Sequence, residues 1–305
     1  MDDTMSADRA LRLIRQGRAL HWAGDFQNAR QLLAALGRRT RRVEQLNSLL
    51  IATKDYEIRL RRAPDVYQAC LQAYGPPAGE RLIPLRELLG VIGAHQLRER
   101  GIYLPALKGR IHPHYGVFAP TRSEYVDLVA ATPLPPAEVA FDIGTGTGVL
   151  ATVLLRRGIP KVVATDNNPR AVACARENLA AHDGGAEVVE ADLFPPGRAD
   201  LIVCNPPWIP GRPMTLLDTA VYDEDSRMLR GFLHGVHEHL TPRGEAWLVM
   251  GIRSQDEMLA EFRAARLTVV GRSSAVPTHR RARADETTSL WRLRPSAADS
   301  FVEEA

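Results

Sequence analysis

The sequence predicts an α/β protein, with a doubly wound, mainly parallel sheet over its C-terminal half preceded by a mostly helical N-terminal domain. Three observations carry this reading. From Pro135 onward, short apolar runs alternate with stretches of helical periodicity, the pattern of repeated strand–helix units. The first of those runs ends in the glycine-rich segment Asp142-Ile143-Gly144-Thr145-Gly146-Thr147-Gly148, which leads straight into a helical stretch. The last two runs follow each other with no helix between them, which predicts an antiparallel strand at one edge.

Taken in order, the N-terminal region opens with Asp25 as an N-cap before Phe26, Ala29, Leu32, Leu33 and Leu36, which recur at helical spacing, and Gly37 is placed to end that helix. A longer helix is expected from about Val43 to Tyr74, broken by Gly75-Pro76-Pro77-Ala78-Gly79. Another is expected around Leu85 to Leu97. Gly101-Ile102-Tyr103-Leu104 and Tyr115-Gly116-Val117-Phe118 then read as the arms of a hairpin. The predicted organisation is a helical domain over 1–110, a linker or hairpin over 111–134, the α/β domain over 135–295 and a tail over 296–305. Within the α/β domain, strands are expected at Val139–Ile143, Val162–Thr165, Ala186–Val189, Leu201–Cys204, Glu245–Met250, Leu267–Ser273 and Thr288–Leu293. Helices are expected at Val149–Arg157, Pro169–His182, near Ser226–Leu240 and at Gln255–Ala265. Ligands of such sheets bind beyond the carboxyl ends of the strands, and the motifs of this chain fall there.

Composition narrows the classes. With 305 residues, 45% hydrophobic and 25% charged, the chain can bury a core without staples. Cys70, Cys174 and Cys204 are far apart and form no Cys/His cluster, so no metal site is expected and a reducing, cytoplasmic compartment fits. The start, Met1-Asp2-Asp3-Thr4, is acidic where a secretory leader is basic, and no apolar stretch approaches the ~20 residues that cross a bilayer, so no membrane partner is expected. The net charge of +3 does not announce nucleic acid, although residues 1–65 hold 13 Lys and Arg against 8 Asp and Glu. The run Arg38, Arg39, Arg41 and Arg42 reads as a solvated helix end that complements the helix dipole, with phosphate contact as the alternative. A second basic stretch, His279, Arg280, Arg281 and Arg283, has the same two readings.

The chemistry lies in the α/β half. Gly144, Gly146 and Gly148 sit between a strand and a helix, where missing side chains let the backbone turn tightly and approach a ligand. A dinucleotide site would use G-x-G-x-x-G, whereas here Val149 stands at the last position, which disfavours nicotinamide. Asp166 ends the second strand, where a carboxylate can accept hydrogen bonds from both hydroxyls of a ribose. One strand later, Asp192-Leu193-Phe194 offers an acceptor for an adenine amino group beside apolar walls. Asn205-Pro206-Pro207-Trp208 ends the fourth strand. The Asn205 side-chain oxygen and the Pro206 carbonyl can each accept one hydrogen bond from a planar NH2 group and so aim its lone pair. The two prolines stiffen the loop and supply no competing donors, and Trp208 can stack on a flat acceptor or shield a cation. Delocalised nitrogens are poor nucleophiles, so orientation and electrostatics must do much of the work.

These motifs resemble the class I S-adenosylmethionine-dependent methyltransferases, within the small-domain group that carries Asn/Asp-Pro-Pro-aromatic. The resemblance covers roughly Tyr115 to Leu293. It implies a Rossmann-like, seven-stranded sheet and S-adenosylmethionine as cofactor. It places Asp142, Gly144, Gly146 and Gly148 around the methionine moiety, Asp166 at the ribose, Asp192 and Leu193 at the adenine, and Asn205 between cofactor and acceptor nitrogen. The segment Ala119-Pro120-Thr121-Arg122-Ser123-Glu124 is similar to the Pro-Arg-Pro-x-Thr-Glu of release-factor glutamine methyltransferases, which also carry a helical N-terminal domain, although that group has Tyr where this chain has Trp208. Ribosomal-RNA guanine and adenine methyltransferases share the clamp. The expected activity is therefore N-methylation of a protein glutamine or an RNA exocyclic amine, with Asn205, Pro206 and Trp208 as the catalytic residues. A small-molecule methyltransferase and a non-catalytic S-adenosylmethionine-binding scaffold are the alternatives.

Overall fold

The computed structural model describes residues 1–182, 184–212, 221–251, 253–275 and 287–296, and the chain divides into two units, Met1–Arg100 and Gly101–Ala305. The basic stretch at His279, Arg280, Arg281 and Arg283, and the tail after Ser296, lie outside the described residues.

In the first unit α1 (Ala7–Arg15) is capped by the Ser6 hydroxyl, and β1 (Leu20–Trp22) follows. Asp25 caps α2 (Phe26–Gly37) as its position predicts, accepting from the amides of Gln27 and Asn28 and from the guanidinium groups of Arg61 and Arg62. Then come α3 (Val43–Leu46), β2 (Leu49–Lys54), α4 (Tyr67–Tyr74), β3 (Glu80–Pro84) and α5 (Leu85–Arg100). The three strands form one sheet, with β2 in the centre, parallel to β1 and antiparallel to β3. Helices still dominate this unit, but the single helix expected over Val43–Tyr74 is absent. Its middle alternates inward and outward as β2, and Asp55 and Tyr56 turn the chain with φ of 49° and 67°, which a right-handed helix cannot contain. Pairing with two distant strands overrides the local pattern. Of the arginine run at the end of α2, Arg39 is held by Asp8 at 2.7 Å and by the Ala35 carbonyl.

The second unit begins with a hairpin of β4 (Ile102–Leu104) and β5 (Gly109–Ile111). The expected second arm, Tyr115–Phe118, is not a strand. The units divide between Arg100 and Gly101, ahead of the hairpin, whereas the boundary expected near residue 110 falls within it. After α6 (Glu124–Ala131) come β6 (Val139–Ile143), α7 (Val149–Arg156), β7 (Lys161–Asp166), α8 (Pro169–Leu179), β8 (Ala186–Glu190) and β9 (Ala199–Cys204). Two short paired strands, β10 (Ile209–Pro210) and β11 (Tyr222–Asp223), precede α9 (Arg227–His239), β12 (Leu240–Met250), α10 (Gln255–Ala264), β13 (Leu267–Ala275) and β14 (Thr288–Pro295).

Seven strands form one sheet in the order β13-β14-β12-β9-β6-β7-β8, all parallel except β14, which runs antiparallel to both neighbours. This is the doubly wound sheet that the alternation predicts and the Rossmann-like form that the resemblance implies. The antiparallel strand expected at an edge is instead β14, which lies between β12 and the edge strand β13 because the hairpin from β13 folds β14 inward onto β12. Side chains along β9 show how it is held: Leu201 and Val203 enter one apolar layer with Leu150 and Leu154 of α7, while Ile202 and Cys204 enter the opposite layer with Phe232 and Val236 of α9. Each such buried side chain contributes roughly 1.5–3 kcal/mol relative to exposure. The winding reverses between β6 and β9, which pair as far as Ile143 and Cys204, so a crevice opens beyond their carboxyl ends.

Candidate active site

The turn from β6 into α7 carries three left-handed glycines, with φ of 70° at Gly144, 55° at Gly146 and 78° at Gly148. Two carboxylates hold this turn. Asp142 is 1% exposed and its Oδ2 accepts from the Thr145 hydroxyl at 2.6 Å and from the Ala151 amide at 2.9 Å, tying strand, loop and helix together. Burial pushes its pKa up to about 6, against the pull of those two hydrogen bonds, and the nearby Asp166 charge adds to the rise. Asp166, at the end of β7, accepts from the Gly146 amide at 3.0 Å and from the Asn168 amide at 2.9 Å. Burial raises its pKa too, with the backbone donors opposing. Gly148 serves packing: a Cβ there would lie 3.3 Å from the Ala175 Cα and the Leu179 side chain, so α7 and α8 approach closely across it.

Beyond β8, Asp192 is exposed and its Oδ2 accepts from Arg227 Nη2 at 2.8 Å. Leu193 takes a left-handed φ of 73° and its carbonyl accepts from the Thr165 hydroxyl. The Leu193 and Phe194 side chains press into α9 where it lacks side chains. A Cβ on Gly231 would lie 2.6 Å from Leu193 Cδ1, and one on Gly235 would lie 2.2 Å from Phe194 Cε2. Phe194 stacks on His239 with centroids 4.4 Å apart.

Beyond β9, Asn205 Oδ1 accepts a hydrogen bond from Trp208 Nε1 at 3.0 Å. The indole lies over Gly251, just past the end of β12, and is half-buried against both apolar layers. Asp223, 6% exposed, accepts from the amides of Met228 and Leu229 and so sets the start of α9. The Met228 Cε lies against Gly144, 2.5 Å from where a Cβ would stand.

These strand ends surround one cavity of about 1190 Å³. Its wall contains Asp142, Gly144, Gly146, Asp166, Asp192, Leu193, Asn205, Pro206 and Trp208, which the sequence singles out, and Arg122 and Glu124 of the upstream segment. Gly148 is not part of the wall. Phe118, Tyr125, Asp223, Met228 and Gly251 also line it and carry no motif. Glycine directly after a strand end is the one signal that points to Gly251. Among the described residues no cluster of His, Cys, Asp or Glu could hold a metal ion, and no helix is long and apolar enough to cross a membrane.

A family model, the methyltransferase small domain, matches residues 108–272, just over half of the chain. A release factor glutamine methyltransferase of Geobacter sulfurreducens is 31% identical over 144 residues, 42% of this chain and 50% of that protein. A ribosomal protein L11 methyltransferase of Pelobacter propionicus is 40% identical over 83 residues, 26% of each chain. The crystal structure of ribosomal protein L11 methylase from Lactobacillus delbrueckii subsp. bulgaricus overlays with a TM-score of 0.42 at 18% identity, covering 56% of this chain and 77% of that one. The chain spans about half the length of the release factor relatives it matches.

Proposed function

The chain belongs to the methyltransferase small domain family, and from that membership we propose that it transfers a methyl group from S-adenosylmethionine to the side-chain NH2 of a protein glutamine. The observation that carries the reading is that the glycine turn with Asp166 and the Asn205-Pro206 loop face one cavity. The residues present fit the cofactor. A Cβ on Gly146 would meet no atom within 4 Å, so the bare backbone there forms an open cradle, and the Asp166 carboxylate keeps lone pairs beyond those spent on Gly146 and Asn168. When bound, S-adenosylmethionine supplies a methyl carbon on sulfonium sulfur; the acceptor nitrogen's lone pair takes that carbon, sulfur keeps the bonding pair and the nitrogen loses one proton to solvent.

The chain's own groups then bind and orient. Asp166 would accept from the ribose hydroxyls, and the Gly144–Gly146 backbone would hold the methionine part. Leu193, in the cavity wall, would give the adenine ring an apolar contact. Asp192 accepts the adenine amino hydrogens by exchanging its exposed Arg227 partner, a trade that costs little because exposed ion pairs contribute about 0–1 kcal/mol. Asn205 Oδ1 and the Pro206 carbonyl hold the acceptor NH2 so that its lone pair points at the methyl carbon. The glutamine acceptor is supported by the name of the Geobacter relative and by Arg122 and Glu124, from the segment similar to that group, in the cavity wall. We assign acceptor recognition to the first unit, which holds none of the cavity residues.

The test is label transfer from methyl-tritiated S-adenosylmethionine to a peptide chain release factor and to a cell extract, with the products digested separately by protease and by ribonuclease. Label released by protease as N-methylglutamine is the expected result. Label released only by ribonuclease moves the acceptor to an RNA exocyclic amine, label on small molecules moves it again, and cofactor binding with no transfer to anything makes the protein a scaffold.

A further inference from the structure

The aromatic residue of the Asn-Pro-Pro-Trp loop departs from the tyrosine of the glutamine methyltransferases that the sequence resembles, and the geometry gives that departure a task. An indole N–H can only donate, so the Asn205 atom it meets at 3.0 Å is the carbonyl oxygen. A carboxamide without such a partner has two nearly isosteric orientations, one presenting oxygen and the other NH2 to the same space. Only the first can hold an acceptor amine, because the second sets donor against donor. A carbonyl oxygen has two lone pairs, so the one bonded to the indole leaves the other for the acceptor.

The ring reaches Asn205 because nothing stands beside it at Gly251. A Cβ there would lie 2.3 Å from Trp208 Cζ3 and 2.4 Å from Cε3, contacts that the half-buried ring could relieve only by moving. Gly251 takes no left-handed conformation, so space for the ring is the constraint at that position.

We propose that Trp208 is a positioning residue that locks the Asn205 carboxamide oxygen-first toward the acceptor nitrogen, and that Gly251 is the seat that makes this possible. The inference rests on the proposed N-methylation for its consequence in turnover and on geometry alone for the bond. It separates Trp208 from a purely stacking role, since a phenylalanine would stack as well and lock nothing.

The bond is read without any acceptor. In full-length protein labelled with nitrogen-15 at its four tryptophans, the indole resonance lost in Trp208→Phe should move upfield in Asn205→Ala and remain downfield in Asn205→Asp. An indole resonance indifferent to Asn205→Ala overturns the inference. For turnover, Trp208→Phe should lower kcat for label transfer to a release factor by roughly five- to tenfold, the worth of one lost hydrogen bond, with S-adenosylmethionine affinity by calorimetry held within about twofold. The deciding comparison is the same substitution in the Asn205→Asp background. A carboxylate is symmetric and presents an acceptor whichever way it turns, so Trp208→Phe should cost less than about twofold there, a coupling read by a double-mutant cycle. Equal losses in both backgrounds make Trp208 a packing residue and overturn the proposal. Gly251→Ala should reproduce Trp208→Phe in both backgrounds, and normal turnover in that variant counts equally against it. If the unmutated protein methylates no release factor, the glutamine reading is what fails, and the indole resonance still decides the bond.

Discussion

The two loops that end β6 and β9 are neighbours in the sheet, yet they are held in place by different means. The glycine turn after β6 rests on two carboxylates, Asp142 and Asp166, that accept from its own donors and whose pKa values are pushed up by burial. The Asn205-Pro206-Pro207-Trp208 loop after β9 contains no charge at all. It is set by two prolines, one indole hydrogen bond and a ring seated on Gly251. A cation such as a sulfonium is drawn to the negative field of the first loop, and the neutral second loop does not compete for it. On the proposed reading, the first loop spends its chemistry on affinity and the second on orientation. Substitutions should divide along that line.

The sharpest division is expected at Asn205. On the proposed N-methylation, Asn205→Ala removes an acceptor that would be used most strongly as the nitrogen begins to bond carbon and its hydrogens become more acidic. Turnover should fall on the order of a hundredfold while cofactor affinity stays within a few fold, the pattern of an interaction made in the transition state. Calorimetry and label transfer on the same preparation check it. Loss of cofactor binding in this variant would place Asn205 with the first loop and erase the contrast.

Asp166→Ala is the matching experiment on the other side. It should weaken S-adenosylmethionine binding by roughly 1.5–3 kcal/mol, the range for hydrogen bonds to a charged group. Because the same carboxylate holds the Gly146 amide, Tm should fall as well. Asp166→Asn keeps one oxygen acceptor and should lose less of both. An unchanged binding isotherm in folded Asp166→Ala would take the cofactor away from this wall.

Asp142 gives a pH test of the charge buried under the glycine turn. Its folded pKa of about 6 lies above the ordinary 3.8, so between those values the native state holds more protons than the unfolded state. Stability must then fall as pH rises through that window, and the cost is fully present above about 6. Asp142→Asn can still accept from Thr145 and Ala151 with one oxygen, since both donate to Oδ2, and it removes the ionisation. Relative to the parent, the variant should gain on the order of 2 kcal/mol between pH 4 and pH 7.5, since each tenfold change in proton affinity between the folded and unfolded states is worth about 1.4 kcal/mol. Urea melts at the two pH values measure it, and parallel pH profiles for the two proteins would mean the carboxylate is not strained by burial.

Much of the sheet was legible because its strands are short, apolar and punctuated, and the glycine turn and Asn205 were legible because backbone turns and proline pairs are local signals. Other features depended on distance. Leu49–Lys54 reads as part of a helix until β1 and β3 are there to flank it. Asp142, by resemblance, and Asp166, by its place at a strand end, were expected near a ligand, but their role as braces of the turn was not legible, since their partners are chosen by folding. Gly251, Asp223 and Met228 reach the cavity from β12 and from the chain around α9, well after any motif. Trp208 stood in plain view in the sequence, while its hydrogen bond to Asn205 required the ring to have a seat.

The smallest effect, and the one that best separates two glycines of similar appearance, is expected at Gly148. Sequence resemblance places it around the methionine moiety, yet it lies outside the cavity wall and under α8. Its φ of 78° disfavours any side chain by roughly 1–2 kcal/mol. An alanine Cβ would also press at 3.3 Å on the Ala175 Cα, which is backbone and cannot swing aside. Gly148→Ala should therefore lose about 1–2 kcal/mol of stability in denaturant melts, while the folded protein binds S-adenosylmethionine and turns over within about twofold of the parent. Gly251→Ala is expected to do the reverse, with a small loss of stability and a larger loss of kcat, because what its methyl displaces is a movable ring that positions Asn205. If Gly148→Ala instead weakened cofactor binding tenfold or more with an unchanged melt, its backbone would belong to the binding surface, and the glycine turn would act along its whole length and not only at Gly144 and Gly146.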